Sequence, residues 1–203
     1  MKYRIAILFL LGVTACSSVL EPNTDEMRSD LLWSQKNYTD ALALIEPLAE
    51  QGYPWAQLRL GVAYEYGQGK EASPSQAMNW YKKVAVQMKD DAWADGLILL
   101  SAGRDGYFNQ NSDAMVAQYL IGRLYSTGGK GLSKDPAEAW LWIHFVNNYS
   151  KGTDLLYCCE NSSLGAQRIP HGRISELLEK IEAQMAPETL EKIKSKSVSW
   201  RPH

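Results

Sequence analysis

The sequence predicts an all-α fold, a right-handed α/α solenoid of helical hairpins closed by a C-terminal pair of capping helices. Two observations carry that expectation. Ala56-Gln57, Leu60-Gly61, Tyr64 and Gly67 return as Ala117-Gln118, Ile121-Gly122, Tyr125 and Gly128, each 61 positions later. Each copy is followed by a helix start, Ser73-Pro74 or Asp135-Pro136, and by an Ala-x-x-Trp at Ala77/Trp80 and Ala139/Trp142. Self-similarity over this length marks a unit that buries its apolar face only by stacking on a neighbour.

The first element is an address and does not belong to the fold. Lys2 and Arg4 supply a positive start, and Ile5 to Val13 an apolar run. That run is too short to span a bilayer, which needs roughly 20 apolar residues. It ends in Val13-Thr14-Ala15-Cys16, small residues before a cysteine, which resembles the lipobox of bacterial lipoproteins. The resemblance implies cleavage after residue 15 and attachment of lipid to Cys16; an ordinary secretory signal with a chance cysteine is the alternative. Two or more acyl chains anchor stably where one does not. Ser17 and Ser18 follow with no aspartate, which resembles an outer-membrane sorting signal facing the periplasm. Residues 16–26 are short and polar and read as a flexible tether. The solenoid is expected over 27–203.

A half-copy opens the solenoid at about 27–52. Tyr38 to Leu42 followed by Ala49-Glu50-Gln51-Gly52 reads as the second helix of a unit, with Asp25 to Lys36 as its first. The first clear repeat, about 54–88, begins with Pro54 where a helix N–H would be unpaired in any case. It stops at Gly67, which accepts a left-handed cap. Ala56 and Gly61 are small where a neighbouring helix must come close, and Leu60 and Tyr64 share one face. Its second helix starts at Ser73-Pro74-Ser75-Gln76, a capping box. Ala77, Trp80, Tyr81, Val84 and Ala85 then follow the helical period. The second clear repeat, about 115–148, is expected as helices from Asp113 to Ser126 and from Asp135 to Asn148. Trp80 and Trp142 are both expected in the core.

Uniform units would separate Gly61 from Gly122 by 36 or 72 residues, yet the spacing is 61. The surplus lies between Met88 and Ser112, where Asp91 to Ala102 reads as one short helix. A single extra helix reverses the chain, so a kink or an unpaired helix is expected there.

The run from Ala56 to Gly69, with Ala77, Trp80-Tyr81 and Lys82-Lys83, resembles the Sel-one-like repeat, a relative of the tetratricopeptide repeat. The likeness covers roughly Tyr38 to Asn147, and Gly128-Gly129-Lys130-Gly131 departs from it by one residue. Met185 to Leu190, through Trp200-Arg201-Pro202, resembles the closing helix of such proteins. The resemblance implies a protein-interaction scaffold or adaptor that holds a partner on its concave face. A sharper alternative is an immunity lipoprotein that neutralises a lipase effector of a type VI secretion system. Penicillin binding or hydrolysis, proposed for cysteine-rich relatives, is a minor alternative, because their regular cysteine pairs are missing here.

Chemistry is sparse. There is no Gly-x-Ser-x-Gly, phosphate-cradling loop or metal-spaced His/Cys cluster. The chain is read as no enzyme, with no catalytic residue, metal or cofactor. His144 is expected in core or rim, and His171 and His203 in loop and terminus. Cys158-Cys159 could form a vicinal disulfide, link two chains or stay as thiols. The sequons at Asn37, Asn148 and Asn161 are coincidental behind a bacterial lipobox. Removing Lys2 and Arg4 from 21 basic residues leaves 19 against 23 acidic ones, a formal −4. That balance argues against nucleic acid. The chain is read as a monomer whose contact with the membrane is the lipid.

Where the scaffold repeats, residues that differ between copies are the candidates for partner contact. Trp55, Arg59, Glu65 and Tyr66 stand opposite Val116, Leu120, Ser126 and Thr127, while Tyr119 and Arg123 replace Leu58 and Val62. Aromatics and arginine are the commonest hot spots. The competing reading is that these six merely cover the ends of the stack.

Overall fold

Proline, capping side chains and glycine set the helix boundaries in the computed structural model, which describes residues 24–87, 105–150, 152–156 and 168–203. Eight helices lie among the described residues. Helix α1 (Thr24–Ser34) carries Asp25 and Glu26 in its first turn, where carboxylates complement the helix dipole. It takes in the last three residues of the expected tether. Helix α2 (Tyr38–Glu50) is capped by Asn37, whose side chain accepts from the Asp40 N–H. Helix α3 (Pro54–Tyr66) starts on its proline and ends at Gly67, with φ of 69°.

Helix α4 (Pro74–Ala85) has Ser73 Oγ accepting from the Gln76 N–H at 3.4 Å. The expected capping box is half used, because the Ser73 N–H donates instead to the Tyr64 carbonyl at 2.7 Å. Helix α5 (Asp105–Thr127) stops at Gly128 with φ of 67°. Helix α6 (Pro136–Ser150) is capped by Asp135 Oδ1, which accepts from the Ala137 and Glu138 N–H groups at 3.0 Å each. A short antiparallel pairing of β1 (Leu155–Leu156) with β2 (Arg168–Ile169) precedes α7 (His171–Glu182) and α8 (Pro187–Ser197).

The two clear repeats are built alike. The Asp135 N–H reaches the Tyr125 carbonyl at 2.8 Å, as Ser73 reaches Tyr64. Gly61 and Gly122 lie where the second helix of each hairpin crosses the first. A Cβ there would meet Tyr81 Cδ1 at 2.6 Å and Ile143 Cδ1 at 2.6 Å respectively. Each repeat is also tied to the helix before it by one buried amide. Gln57 Nε2 donates to the Ala49 carbonyl and Gln118 Nε2 to the Ala85 carbonyl, both at 3.0 Å. Such a bond adds a side-chain donor to a carbonyl in the last turn of the helix before it.

Helix α5 packs on α4 as α3 packs on α2, with the same amide bond. The kink or unpaired helix expected between Met88 and Ser112 falls largely outside the described residues. An unpaired helix from Asp91 to Ala102 falls outside the described residues, and so does the Cys158-Cys159 pair.

The core is a helical solenoid's, in two apolar clusters bridged by Trp33 and Tyr64. One lies between α2 and α3; the larger runs from α3 to Trp200. Trp142 is fully buried, its ring 4.9 Å from that of Trp200. Trp80, expected in the core as well, is half-buried, and the Lys83 ammonium stands 3.7 Å over its ring. Among the described residues, the C-terminal tail that seals Trp142 has no counterpart over Trp80. The two closing helices both pack on α6 more than on each other. Helix α3 packs directly on α5, and α5 touches α7, whereas α4 and α6 share no comparable contact. In a curved stack the closer row is the inner one, which puts α3, α5 and α7 on the concave side.

Candidate functional site

Four of the six sequence-derived candidates meet at one place on that inner row. Glu65 and Tyr66 come from the last turn of α3; Tyr119 and Arg123, four apart, share one face of α5. Glu65 takes two donors: the Tyr81 hydroxyl at 2.8 Å on Oε2, and the Arg123 guanidinium as an ion pair on Oε1. The other guanidinium nitrogen, Nη1, donates to the Tyr66 hydroxyl at 3.0 Å, and the group lies 5.9 Å from the Tyr66 ring centroid. Burial works against the Arg123 charge, but Glu65 and Tyr66 outweigh it and hold the group protonated. Tyr66 is still 56% exposed.

Tyr119 is different. Its ring is buried in the core, and burial raises its hydroxyl pKa against the pull of Arg123 and Arg173. It therefore stays neutral, without a hydrogen-bond partner among the described residues.

Trp55 and Arg59 sit elsewhere and correct the expectation of a shared exposed face. Trp55 is buried in the cluster between α2 and α3. Arg59 is buried too; it pairs with Asp30 of α1 and lies 5.2 Å from the Trp33 ring centroid. Their difference from Val116 and Leu120 has an internal cause, since α3 packs against the irregular first unit. Arg59 and Arg123 do the same work one unit apart, each binding its helix to a carboxylate on the preceding first helix. Of the six, Tyr66 alone is exposed, with Arg123 and Glu65 part-covered beside it.

Sequence reasoning did not find Arg173, exposed in the first turn of α7. It lies outside both copies, so no comparison between repeats could single it out.

One cluster has the residue types of a hydrolase. Ser150 Oγ is 3.0 Å from His171 Nδ1, and Ser175 Oγ is 3.4 Å from His171 Nε2. Both ring nitrogens thus face hydroxyls, leaving none for a carboxylate to orient. Asp154 Oδ1 accepts the backbone N–H of His171 at 3.0 Å, as a helix cap. Ser150 is buried, so no substrate carbonyl can reach it. This is a seam between α6 and α7, without the base-and-orienter geometry that nucleophilic catalysis needs. His144 stacks on Trp140 at 4.2 Å, and burial lowers its pKa. Among the described residues no His/Cys/Asp/Glu group could hold a metal ion, and no helix is long and apolar enough to cross a membrane.

Both hairpins match the Sel1 repeat family. The matched residues are 56–85 and 116–144, the two clear copies. Sel1 repeats generally mediate protein–protein interaction and are typically non-enzymatic. Among curated proteins no relative matches. The crystal structure of a Sel1 repeat protein from Oxalobacter formigenes is 18% identical, over 88% of this chain and 79% of that one. Its TM-score is 0.31.

Proposed function

We propose that this chain is a lipid-anchored adaptor of the bacterial periplasm, which holds a partner protein on the inner row of its solenoid around Tyr66 and Arg123. The observation that carries the reading is the state of Tyr66. A large aromatic stands in solvent with its hydroxyl already held by a guanidinium. A side chain fixed before contact has little conformational entropy left to lose, which favours a hot spot. Cys16 would carry the lipid, with the outer membrane as the expected destination.

A photo-crosslinking residue in place of Tyr66 tests the face in the native envelope. One dominant adduct, absent when the same group replaces Val198 (80% exposed), is the expected result. The same adducts from both positions would overturn it. A single tight one-to-one complex with a secreted enzyme would favour the neutraliser reading, and several weak envelope partners the adaptor. Cys16→Ser tests the anchor separately: the chain should move from the membrane fraction to the soluble one.

A further inference from the structure

Three arginines among the described residues meet carboxylates. Arg28 pairs with Asp25, Arg59 with Asp30 and Arg123 with Glu65. Arg173 is exposed and makes no ion pair among the described residues, not even with Glu176 one turn along α7. It projects from α7, the helix that touches α5, and its charge is one of those that oppose burial at the Tyr119 hydroxyl. The inner row therefore carries an exposed phenol at Tyr66, a guanidinium at Arg123 shared with Glu65 and, among the described residues, a Tyr119 hydroxyl without a hydrogen-bond partner and an Arg173 guanidinium without an ion pair. Every one of these groups can donate a hydrogen bond. Glu65, the carboxylate among them, is already engaged by Tyr81 and Arg123. Donors and a free positive charge on an acidic chain make a place for an anionic acceptor.

We propose that this face takes an acidic peptide segment of the partner, with an Asp or Glu carboxylate on Arg173 and the Tyr119 hydroxyl and an adjoining side chain packed on Tyr66. The inference rests on the interaction reading above and adds the chemistry of what is bound. Arginine suits the task because its fork meets both carboxylate oxygens. Clustered arginines are a recurring device for acidic motifs. The flanking aromatic supplies area that an exposed ion pair alone lacks.

The test is a selection of random dodecapeptides displayed on phage against the immobilised full chain, with enriched sequences then made as labelled peptides. Enrichment of Asp and Glu is expected, with affinity falling as salt screens the exposed charges. Arg173→Glu should weaken binding by about tenfold or more, since like charges then face each other. Arg173→Lys should keep most of it, and a Glu→Gln peptide should match the loss. The melting temperature of each Arg173 variant should be unchanged, because its side chain bonds to none of the described residues. Acid-rich peptides that bind Arg173→Glu as well as they bind the parent would overturn the proposal, as would enrichment without acidic bias or no enrichment. Neutral peptides lost on Tyr66→Ala would sink the acidic chemistry and leave the interaction reading standing. Absence of any adduct at Tyr66 in the envelope would sink that reading itself.

Discussion

Replacing Gly61 with alanine sets two opposite effects against each other. In an open helix the change would stabilise by about 1 kcal/mol, because glycine is the poorer helix former. Here the added Cβ lies 2.6 Å from Tyr81 Cδ1, inside any permitted contact. Tyr81 cannot swing away: its side chain is fully buried and its hydroxyl is held by Glu65 at 2.8 Å. Forcing a methyl group into a filled core costs about 1–3 kcal/mol. Losing the hydroxyl's bond adds about 1 kcal/mol. The balance is a net loss of about 2 kcal/mol, which lowers the melting temperature of a chain this size by about 4–8 °C. Urea and thermal melts followed by far-UV circular dichroism measure it. Gly61→Ala combined with Tyr81→Leu should be more stable than the sum of the single losses, since the clash is then gone. A Gly61→Ala chain as stable as the parent, or strict additivity in the double variant, would refute the close-crossing argument.

Three further outcomes are expected. Gln118→Leu removes the buried amide donor of the Ala85 carbonyl and should cost about 1–3 kcal/mol in urea melts. Arg123→Met removes the ion pair of Glu65, whose side chain is almost wholly buried, and should cost about 1–3 kcal/mol even with no partner present. Burial and the nearby Glu26 push the Asp113 carboxyl up to about 7, with Arg59 pulling the other way. Its folded pKa then lies above the unfolded value of about 3.9, so the native state holds the extra proton between the two. That contribution to stability is complete below about pH 4 and is lost as pH rises through about 7. Asp113→Asn should flatten this slope in melting temperatures measured between about pH 5 and pH 8.

The hairpins were legible because the residues that shape them allow few substitutes. Gly61 and Gly122 clear a path for Tyr81 and Ile143, and Gly67 and Gly128 adopt a conformation that other residues resist. The start of α5 was not legible. Gly106 and the run Asn109 to Ser112 have poor helix propensity, yet the helix begins at Asp105. The site was half legible. Differences between copies pointed to Glu65, Tyr66, Tyr119 and Arg123, which do converge. The same signal also raised Trp55 and Arg59, because a residue can differ between copies to fit an unlike neighbour as readily as to meet a partner. Trp80 shows the limit of equivalence: its twin Trp142 is sealed by Trp200 of the C-terminal tail, while Trp80 stays half-buried.

The amide of Gln118 fixes register after the surplus segment, not before it. Since that one bond repeats what Gln57 does, the number of residues between Ala85 and Gln118 is decoupled from the pitch of the superhelix. A chain of this design can gain or lose length there and still present the same inner surface downstream. That makes the stretch a natural point for grafting a foreign loop or an epitope tag, with the Gln118 bond as the criterion that the graft has been accepted.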